Sequence, residues 1–412
     1  MNENQTVTIQ PGVLNGRILP PPSKSAAHRA IICSALAGAA APFSQEEPLS
    51  EDILTTLRAM QEIRAYRGGT LQIDCGESGS TLRFLIPVAA ALGIPAEFTG
   101  RGRLPERPIG VYAECLPAHG VSCTTAGGLP LTIHGQLRPG TFPVPGNISS
   151  QFITGLLLAL PLLNGDSELL LTSPLESAGY VDMTLEILHD FGIAVERTEN
   201  GWHVAGNQTF RTREYRVERD WSQAAFFLAA GALGSSITLE GLNPASAQGD
   251  RAAETLFHAF GANVHWEGTL LSVSPGNLHG VEIDAAQIPD LVPALAATAA
   301  LCGGTTRIYN ARRLRIKESD RLAAMADGLN RLGSRVTELP DGLLIEGVPR
   351  LRGGSALGYN DHRVVMALSI AALNADAPVT ITDAQSIRKS YPSFFQDFQA
   401  LGGKANVIHM GE

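Results

Sequence analysis

Small apolar residues recur along the chain in stretches of helical length, and each stretch follows a short polar or acidic start. Ser, Asp and Asn at such starts are typical N-caps, so the pattern predicts buried helices. The six segments are SKSAAHRAIICSALAG from Ser23, SGSTLRFLIPVAAALG from Ser78, SSQFITGLLLALPLLNG from Ser149, DWSQAAFFLAAGALG from Asp220, PDLVPALAATAALCGG from Pro289 and NDHRVVMALSIAAL from Asn360. By subtraction, their starts lie 55, 71, 71, 69 and 71 residues apart. This even spacing predicts an internal repeat.

More polar helices are predicted between these segments, because apolar residues recur there at helical spacing. Each ends at a glycine, which is typical of a helix C-cap. They are VDMTLEILHDFGIAVE, AAETLFHAFGANVHW, RLAAMADGLNRLGSRVTEL and FFQDFQALGGKANVI, and the glycines are Gly192, Gly261, Gly333 and Gly402. Alternating runs such as ANVHWEG and SRVTELPDGLLIEG follow and predict strands. One repeat is therefore an apolar helix, an amphipathic helix and several strands in about 70 residues.

The size of the repeat constrains the fold. A segment of about 70 residues cannot bury an apolar helix by itself, so the repeats must share cores. Six repeats in 412 residues predict an α/β protein of two domains with three repeats each. Sheets and amphipathic helices would then cover the apolar helices. The alternative is a set of α/β segments that only look alike.

Composition narrows the function classes. Hydrophobic residues make up 44% of the chain and charged residues 17%, which is typical of a soluble globular protein. The formal net charge of −9, without a long Lys/Arg run, argues against nucleic-acid binding, so any positive site must be local. The scattered cysteines form no CxxC pair, which disfavours a disulfide scaffold or a zinc site and favours a reducing cytoplasm. We expect neither a signal peptide nor a membrane span.

Cations lie close to the starts of the most apolar helices. A buried helix has free N–H groups and a partial positive charge at its N-terminus, so it attracts anions. Ser23, Ser78, Ser149 and Asp220 are explained equally well as plain N-caps. Capping does not explain the four cations within two turns of these starts, because burying a guanidinium is costly unless it is paired. These cations are Lys24, Arg29, Arg83 and Arg363.

Polar residues are also concentrated in ERPIG (106–110), RRLRIKESDRL (312–322) and SIRKSYP (386–392). The KESDR segment is interpreted as a helix start, in which Arg321 follows Lys317 by four residues and shares its face. A solvated charged face is the alternative. The motifs of a P-loop, a dinucleotide-binding turn or a zinc protease are missing from the sequence.

Seven motifs in order resemble those of the 5-enolpyruvylshikimate-3-phosphate synthase family of enolpyruvyl transferases: SKSAAHR, SGSTLR, ERPIG, ISSQF, KESDR, NDHR and RKSYP. The resemblance covers essentially the whole chain. It implies a two-domain inside-out α/β barrel of six βαβαββ repeats, with one domain at 21–218, the other at 1–20 plus 219–412, and the active site in the cleft between them. It also implies enolpyruvyl transfer from phosphoenolpyruvate to the 5-hydroxyl of shikimate 3-phosphate, without a metal or organic cofactor. A cytoplasmic monomer is expected.

The resemblance also implies roles for individual residues. Asp290 would be the base on the 5-hydroxyl, and Glu318 would pass a proton to and from the methylene carbon, with Lys24, Lys317 and His362 assisting. Shikimate 3-phosphate would be bound by Lys24, Ser25, Arg29, Ser149, Ser150, Gln151, Ser177, Tyr180, Asp290 and Lys317. Phosphoenolpyruvate would be bound by Lys24, Gly79, Arg107, Gln151, Arg321, Arg363 and Lys389.

Some alternatives stay open. Asp290 could be an N-cap, and Glu318 could be half of a surface ion pair. Glu77 stands where many relatives have Asn, and SAGY (177–180) and Arg312-Arg313 also depart from the family pattern. A sister enzyme that acts on a UDP-amino sugar is the nearest rival, but it usually has Lys-Asn at the position of Lys24-Ser25 and a reactive Cys in the loop that here reads RLPERPIG. The second rival is a non-catalytic relative that only binds anions.

Overall fold

The computed structural model describes residues 4–44, 47–212 and 214–409. The chain divides into two compact units. We call Ser23–Val217 the continuous unit, and Met1–Pro22 with Glu218–Glu412 the split unit. The helices are α1 (Lys24–Leu36), α2 (Glu51–Ala65), α3 (Gly79–Ala91), α4 (Gly110–Cys115), α5 (Ser150–Ala159), α6 (Ala178–Asp190), α7 (Trp221–Ala232), α8 (Ala252–Ala259), α9 (Val292–Ala299), α10 (Arg321–Arg331), α11 (His362–Ala371) and α12 (Phe394–Ala400).

The strands are short, and several follow one another as hairpins. They are β1 (Gln5–Ile9), β2 (Asn15–Ile18), β3 (Leu71–Asp74), β4 (Ala96–Thr99), β5 (Val121–Thr125), β6 (Leu131–Gly135), β7 (Thr141–Val144), β8 (Ser167–Leu171), β9 (Glu196–Thr198), β10 (Gly201–Val204), β11 (Ser236–Glu240), β12 (Asn263–Glu267), β13 (Leu270–Ser274), β14 (Glu282–Asp284), β15 (Thr305–Tyr309), β16 (Arg335–Leu339), β17 (Gly342–Glu346), β18 (Gly354–Ala356), β19 (Val379–Ile381) and β20 (Ala405–His409).

The six predicted apolar helices are α1, α3, α5, α7, α9 and α11, and they are confirmed. In α7 and α11 every residue is buried. Ser23, Ser78, Ser149 and Asp220 cap the first four of these helices, each accepting a backbone N–H. The other two starts differ from the prediction. A 3-10 turn, Pro289–Leu291, precedes α9, and α11 is capped by Asp361, one residue after the predicted start.

The four predicted amphipathic helices are α6, α8, α10 and α12. The glycine that follows each of them has a positive φ, between 79° and 97°, so the predicted C-cap glycines are confirmed. Only glycine adopts this backbone conformation without strain. Helix α2 was not predicted, although Ser50 and the apolar spacing of Ile53, Met60 and Ile63 signal it.

Five four-stranded sheets share one topology within the described residues. Each combines one parallel pair with two antiparallel pairs, as in the sheet ordered β3-β4-β6-β5. The others are ordered β7-β8-β10-β9, β2-β11-β13-β12, β14-β15-β17-β16 and β18-β19-β1-β20. A shared pairing pattern is what the predicted repeat requires, and the described residues show it five times for six predicted repeats.

Each unit has its own hydrophobic core, built around its apolar helices. In the continuous unit, α3 and α5 lie so close that a Cβ on Gly155 would come within 2.3 Å of the Arg83 carbonyl oxygen. Pro87 lies within α3 and has no N–H, so this carbonyl lacks its helical partner. The Tyr112 hydroxyl lies 2.8 Å from it and replaces the missing donor. The same hydroxyl lies 2.9 Å from the Phe152 carbonyl oxygen, so Tyr112 joins α3 to α5 beside the proline.

Candidate active site

In the continuous unit, Lys24 is the first residue of α1. Its Nζ lies 2.8 Å from Asp52 Oδ2 on α2, and both side chains are largely buried. The amine is therefore held at the helix start and does not extend into solvent. Sequence reasoning missed Asp52, because its partner is 28 residues away and only the SED start of α2 marks the position.

Arg29 lies one turn further along α1 and is buried. Its guanidinium donates to the hydroxyl of Thr184 at 2.7 Å and to the carbonyl oxygens of Ser25 and Tyr180 at 2.6 and 2.9 Å. These partners are neutral, and burial lowers the pKa of Arg29 to about 10, which still leaves it charged at neutral pH. The positive charge is not cancelled by these contacts, which is the electrostatic condition for binding an anion.

The starts of α3 and α5 meet at Gln151. Its side-chain oxygen accepts from Arg83 Nη1 at 2.6 Å, and its amide nitrogen donates to Ser80 Oγ at 2.9 Å. Gly79 lies against the Arg107 guanidinium so closely that a Cβ would be 2.8 Å from Nη1. A side chain at this position would therefore displace the Arg107 guanidinium. The packing brings together Gly79, Arg107 and Gln151, three of the residues predicted to bind phosphoenolpyruvate.

The remaining predicted residues of this unit lie at helix starts. Ser149 caps α5, and Ser150 is the first residue of that helix. Ser177 has a φ of 56° and precedes α6, on which Tyr180 lies. Near α3, the Glu77 carboxylate is so close to Gly102 that a Cβ there would be 2.5 Å from Oε2.

Buried hydroxyls connect three helices of the continuous unit. His28 Nδ1 lies 2.7 Å from Thr56 Oγ1, which lies 2.6 Å from Thr81 Oγ1, which donates to Ser78 Oγ at 2.7 Å. Burial, together with Lys24 and Arg29, lowers the pKa of His28 well below 6.5. His28 is thus a neutral structural residue that joins α1 to α2 and, through Thr56, to α3.

We expect His28 to make the folded protein sensitive to acid. Its folded pKa is lowered, so below about pH 6.5 the unfolded chain binds the proton first and stability falls as pH falls. The stability difference between wild type and His28→Leu should be constant above about pH 7.5. Below about pH 6.5 it should shrink by up to about 1.4 kcal/mol per pH unit. Urea denaturation between pH 5 and 8 measures this difference.

His203 provides the control, because its imidazole donates a hydrogen bond to the Glu168 carboxylate, which raises the pKa of His203. Any contribution of His203 should therefore be present below its unfolded pKa and be lost as pH rises. A His28→Leu difference that does not change with pH, or that has the sign expected for His203→Leu, would contradict the assignment.

In the split unit, Asp290 is surrounded by cations. Its Oδ1 lies 3.0 Å from Arg321 Nη1 and 3.4 Å from Lys317 Nζ, and its Oδ2 lies 3.2 Å from Arg363 Nη2. Burial alone would raise the pKa of Asp290, but the cations of Arg363, Lys317 and Arg321 hold it well below 3.8. Asp290 is not the N-cap, since Ile288 and Leu291 hold the cap positions of the 3-10 turn and of α9.

Arg321 links three carboxylates. Besides Asp290, its Nη2 lies 2.6 Å from Glu318 Oε2 and its Nε lies 2.8 Å from Asp361 Oδ2. Arg321 is only 1% exposed, so Glu318 does not belong to an ordinary surface pair. Asp361 also caps α11 and accepts from Ser319 Oγ at 2.9 Å. Sequence reasoning gave Asp361 no role, although it lies in the NDHR motif.

The predicted helix start at KESDR is wrong in one respect. Helix α10 begins at Arg321 with Asp320 as its N-cap, and Lys317 has an extended backbone before it. Lys317 and Arg321 therefore do not share a helix face. They meet at the Asp290 carboxylate, and burial lowers the pKa of Lys317 despite that carboxylate.

Two further predicted residues follow in the same unit. His362 is the first residue of α11 and is buried, with Nδ1 3.9 Å from Asp361 Oδ1. Lys389 ends a 3-10 turn, and its Nζ donates to the Asn360 carbonyl oxygen at 2.7 Å. The split unit thus gathers Asp290, Lys317, Glu318, Arg321 and Arg363 in one contact network.

Within the ranges that the structure describes, no group of three or more His, Cys, Asp or Glu side chains is placed to hold a metal ion. Across the same residues, no helix has both the length and the apolar character that a membrane crossing requires.

The chain is similar to known proteins over nearly its whole length. The family model described as EPSP synthase (3-phosphoshikimate 1-carboxyvinyltransferase) matches residues 9–69 and 64–398. The 3-phosphoshikimate 1-carboxyvinyltransferase of Clostridium novyi is 43% identical and covers 99% of this chain and 100% of its own. That of Clostridium acetobutylicum is 44% identical, covering 98% and 99%.

Solved structures resemble the fold over its full length. An EPSP synthase from Acinetobacter baumannii has a TM-score of 0.79 at 26% identity and covers 98% of this chain and 100% of its own. The enolpyruvyl transferase NikO from Streptomyces tendae, at 17% identity, has a TM-score of 0.75 and covers 99% and 100%. The predicted fold class, the two-domain inside-out α/β barrel, is confirmed by the EPSP synthase match.

Proposed function

The chain belongs to the EPSP synthase family, and on this premise we propose that it is a 3-phosphoshikimate 1-carboxyvinyltransferase. It transfers the enolpyruvyl group of phosphoenolpyruvate to the 5-hydroxyl of shikimate 3-phosphate and releases phosphate, a step of aromatic amino-acid biosynthesis. The observation that carries the proposal is the network around Arg321, in which two carboxylates suited to proton transfer contact cations suited to holding an anion.

The continuous unit supplies most contacts for shikimate 3-phosphate. Arg29 keeps its charge among neutral partners. The phosphate of shikimate 3-phosphate binds the Arg29 guanidinium and the N-termini of α1 and α5. The full set in this unit is Lys24, Ser25, Arg29, Ser149, Ser150, Gln151, Ser177 and Tyr180. Phosphoenolpyruvate contacts Gly79, Arg107, Gln151 and Lys24 here, where Gly79 leaves room for the Arg107 guanidinium.

The split unit supplies the acid and the base. Asp290 removes the proton of the 5-hydroxyl as that oxygen bonds to C2 of phosphoenolpyruvate, and Glu318 protonates C3. The tetrahedral intermediate then loses a C3 proton to Glu318 while the C2–O bond to phosphate breaks. Lys317 and His362 assist these steps, and Arg321, Arg363 and Lys389 hold the anion.

The ion pairs of the split unit suggest how the base is activated. Arg321 and Arg363 pair with Asp290, and Arg321 pairs with Glu318. An incoming phosphate or carboxylate competes for these guanidinium groups. As the pairing weakens, the proton affinity of Asp290 and Glu318 rises, because opposite charges no longer favour the ionised forms. Anion binding thus prepares both carboxylates to accept a proton.

The two sets of residues lie in different units, so both substrates must contact both units during turnover. The residues proposed to bind the substrates thus come from two domains, one at 21–218 and one formed by 1–20 plus 219–412. Neither a metal nor an organic cofactor is assigned a role in the proposed reaction. The enzyme is proposed to act in the cytoplasm as a monomer, with the two substrates as its ligands.

Phosphate release provides the test. We expect phosphate to be released from phosphoenolpyruvate only when shikimate 3-phosphate is present. Shikimate without its phosphate should support little release, because Arg29 and the helix starts then lose their anion. UDP-N-acetylglucosamine is the matched acceptor for the sister activity. Release with that sugar would establish the rival transferase, and release with no acceptor would reject the proposal.

A further inference from the structure

The segment that carries Lys317 and Glu318 lies outside any helix or strand. It connects a 3-10 turn, Arg312–Ile316, to α10, which begins at Arg321. No regular backbone ladder holds these two residues, so side-chain contacts fix the segment. Ser319, within it, donates to the buried Asp361, and the two ends make further contacts. Arg315 makes such contacts at one end and Asp320 makes them at the other.

Arg315 contacts both the β16–β17 hairpin and the N-cap of α10. Its Nη1 lies 2.7 Å from Glu338 Oε1, and its Nη2 and Nε donate to the carbonyl oxygens of Leu339 and Pro340 at 2.7 and 3.0 Å. All three acceptors belong to the β16–β17 hairpin. The same Nη1 lies 2.8 Å from Asp320 Oδ2. One guanidinium therefore joins the hairpin to the residue that begins α10.

Asp320 is fixed in turn by its own helix. Its Oδ1 accepts the backbone N–H of Ala323 as the N-cap of α10, while its Oδ2 accepts from Arg315. The Arg315–Asp320 contact closes a short loop around Lys317 and Glu318. In that loop, Lys317 reaches Asp290 and Glu318 reaches Arg321. The Arg315–Asp320 contact therefore acts on the proposed catalytic network together with the bond from Ser319 to Asp361.

We infer that Arg315 is a positioning residue for the proposed transfer: it ties the segment of Lys317 and Glu318 to the β16–β17 hairpin. This inference rests on the proposed function. The carboxylate partners of Arg315 are 36% and 38% exposed, so solvent screens both ion pairs and weakens their contribution to the free energy of unfolding. The effect falls on turnover, because a shift of about 1 Å in a reacting group costs roughly 100-fold.

The side-chain requirement is specific. A guanidinium presents several donors in a planar fork, whereas a lysine amine is a single point that cannot reach all four acceptors together. We therefore expect Arg315→Lys and Arg315→Gln both to lower kcat by about 10- to 100-fold. The KM for phosphoenolpyruvate should stay within about two-fold of wild type, because residues 316–320 include none of its proposed binding groups. The KM for shikimate 3-phosphate can rise, because Lys317 lies on the displaced segment and is one of its proposed contacts.

Arg335→Gln is the matched control, because Arg335 lies on the same hairpin and pairs only loosely with Glu346, at 3.8 Å. Its kcat should equal that of wild type. The double variant Arg315→Gln/Glu338→Gln should lose less than the product of the two single losses, since both remove one contact. A kcat for Arg315→Gln within two-fold of wild type, or a loss that Arg335→Gln shares, would overturn the inference.

Hydrogen exchange of the full-length protein gives a readout that does not need activity. Peptides covering residues 316–320 should exchange faster in Arg315→Gln than in wild type or Arg335→Gln, while peptides from α7 should not change. Unchanged exchange in 316–320 overturns the inference even if the wild type proves inactive. If the wild type is inactive but residues 316–320 exchange faster in Arg315→Gln, the proposed function is rejected. The role of Arg315 in holding this segment to the β16–β17 hairpin is then still established.

Discussion

Replacing Glu318 by glutamine is expected to lower kcat by about 10²- to 10⁴-fold, the usual range for losing a general acid or base. The amide keeps the size of the side chain and an oxygen for Arg321 Nη2, which lies 2.6 Å from Oε2. It cannot give a proton to the methylene carbon or take one back. Shikimate 3-phosphate binding should change by less than about three-fold, since Glu318 is not among its proposed contacts.

Steady-state kinetics and calorimetric titration with shikimate 3-phosphate measure the two quantities. Glu346→Gln is the matched control, because this carboxylate is 57% exposed on β17 and forms only a loose pair with Arg335. Its kcat should equal that of wild type. If Glu318→Gln weakens shikimate 3-phosphate binding as much as it lowers kcat, Glu318 has a binding role and not an acid/base role.

Replacing Asp361 by alanine is expected to lower the free energy of unfolding by about 3–5 kcal/mol. Asp361 is 0% exposed and its partner Arg321 is 1% exposed, so the lost charge leaves a buried guanidinium with less compensation. The same change removes the cap of α11 and the acceptor of Ser319 Oγ. Losing the cap and losing the acceptor each lower the free energy of unfolding further.

Equilibrium urea denaturation followed by circular dichroism measures this effect. Asp327→Ala is the control, because its pair with Arg331 has a similar distance, 2.7 Å, but side-chain exposures of 32% and 48%. It should cost less than about 1 kcal/mol. Equal losses in the two variants would show that burial does not decide the contribution of the Asp361 pair.

The repeat could be predicted from the sequence because its signals are local. Helix starts are marked by capping residues, and helix ends are marked by glycines whose positive φ other residues adopt only with strain. The predicted start of α9, at Pro289, is three residues too early, because Pro289 begins a 3-10 turn and the helix begins at Val292. Helix α2 shows that a real amphipathic pattern between two more apolar repeats is easily missed.

The candidate site depends on contacts that no local pattern contains. Asp52 meets Lys24 across 28 residues, and Asp361 meets Arg321 across 40. Spacing alone placed Lys317 and Arg321 on one helix face, but Asp320 caps α10 after Lys317. The two side chains are brought together by Asp290, which is far from both in sequence. The motifs identify Lys24, Lys317 and Arg321 as site residues. Only the folded structure shows which carboxylates pair with them.

Strand β1 has a consequence for the making of the protein. It lies between β19 and β20, with Val7 opposite both Ile381 and Val407. During synthesis, the strand leaves the ribosome about 400 residues before its second partner, which is roughly 20–80 s at usual translation rates. The continuous unit needs no later segment and can fold in that time. The split unit can complete this sheet only after β20 has been translated, so the apolar residues of β1 must wait for that partner while the continuous unit folds.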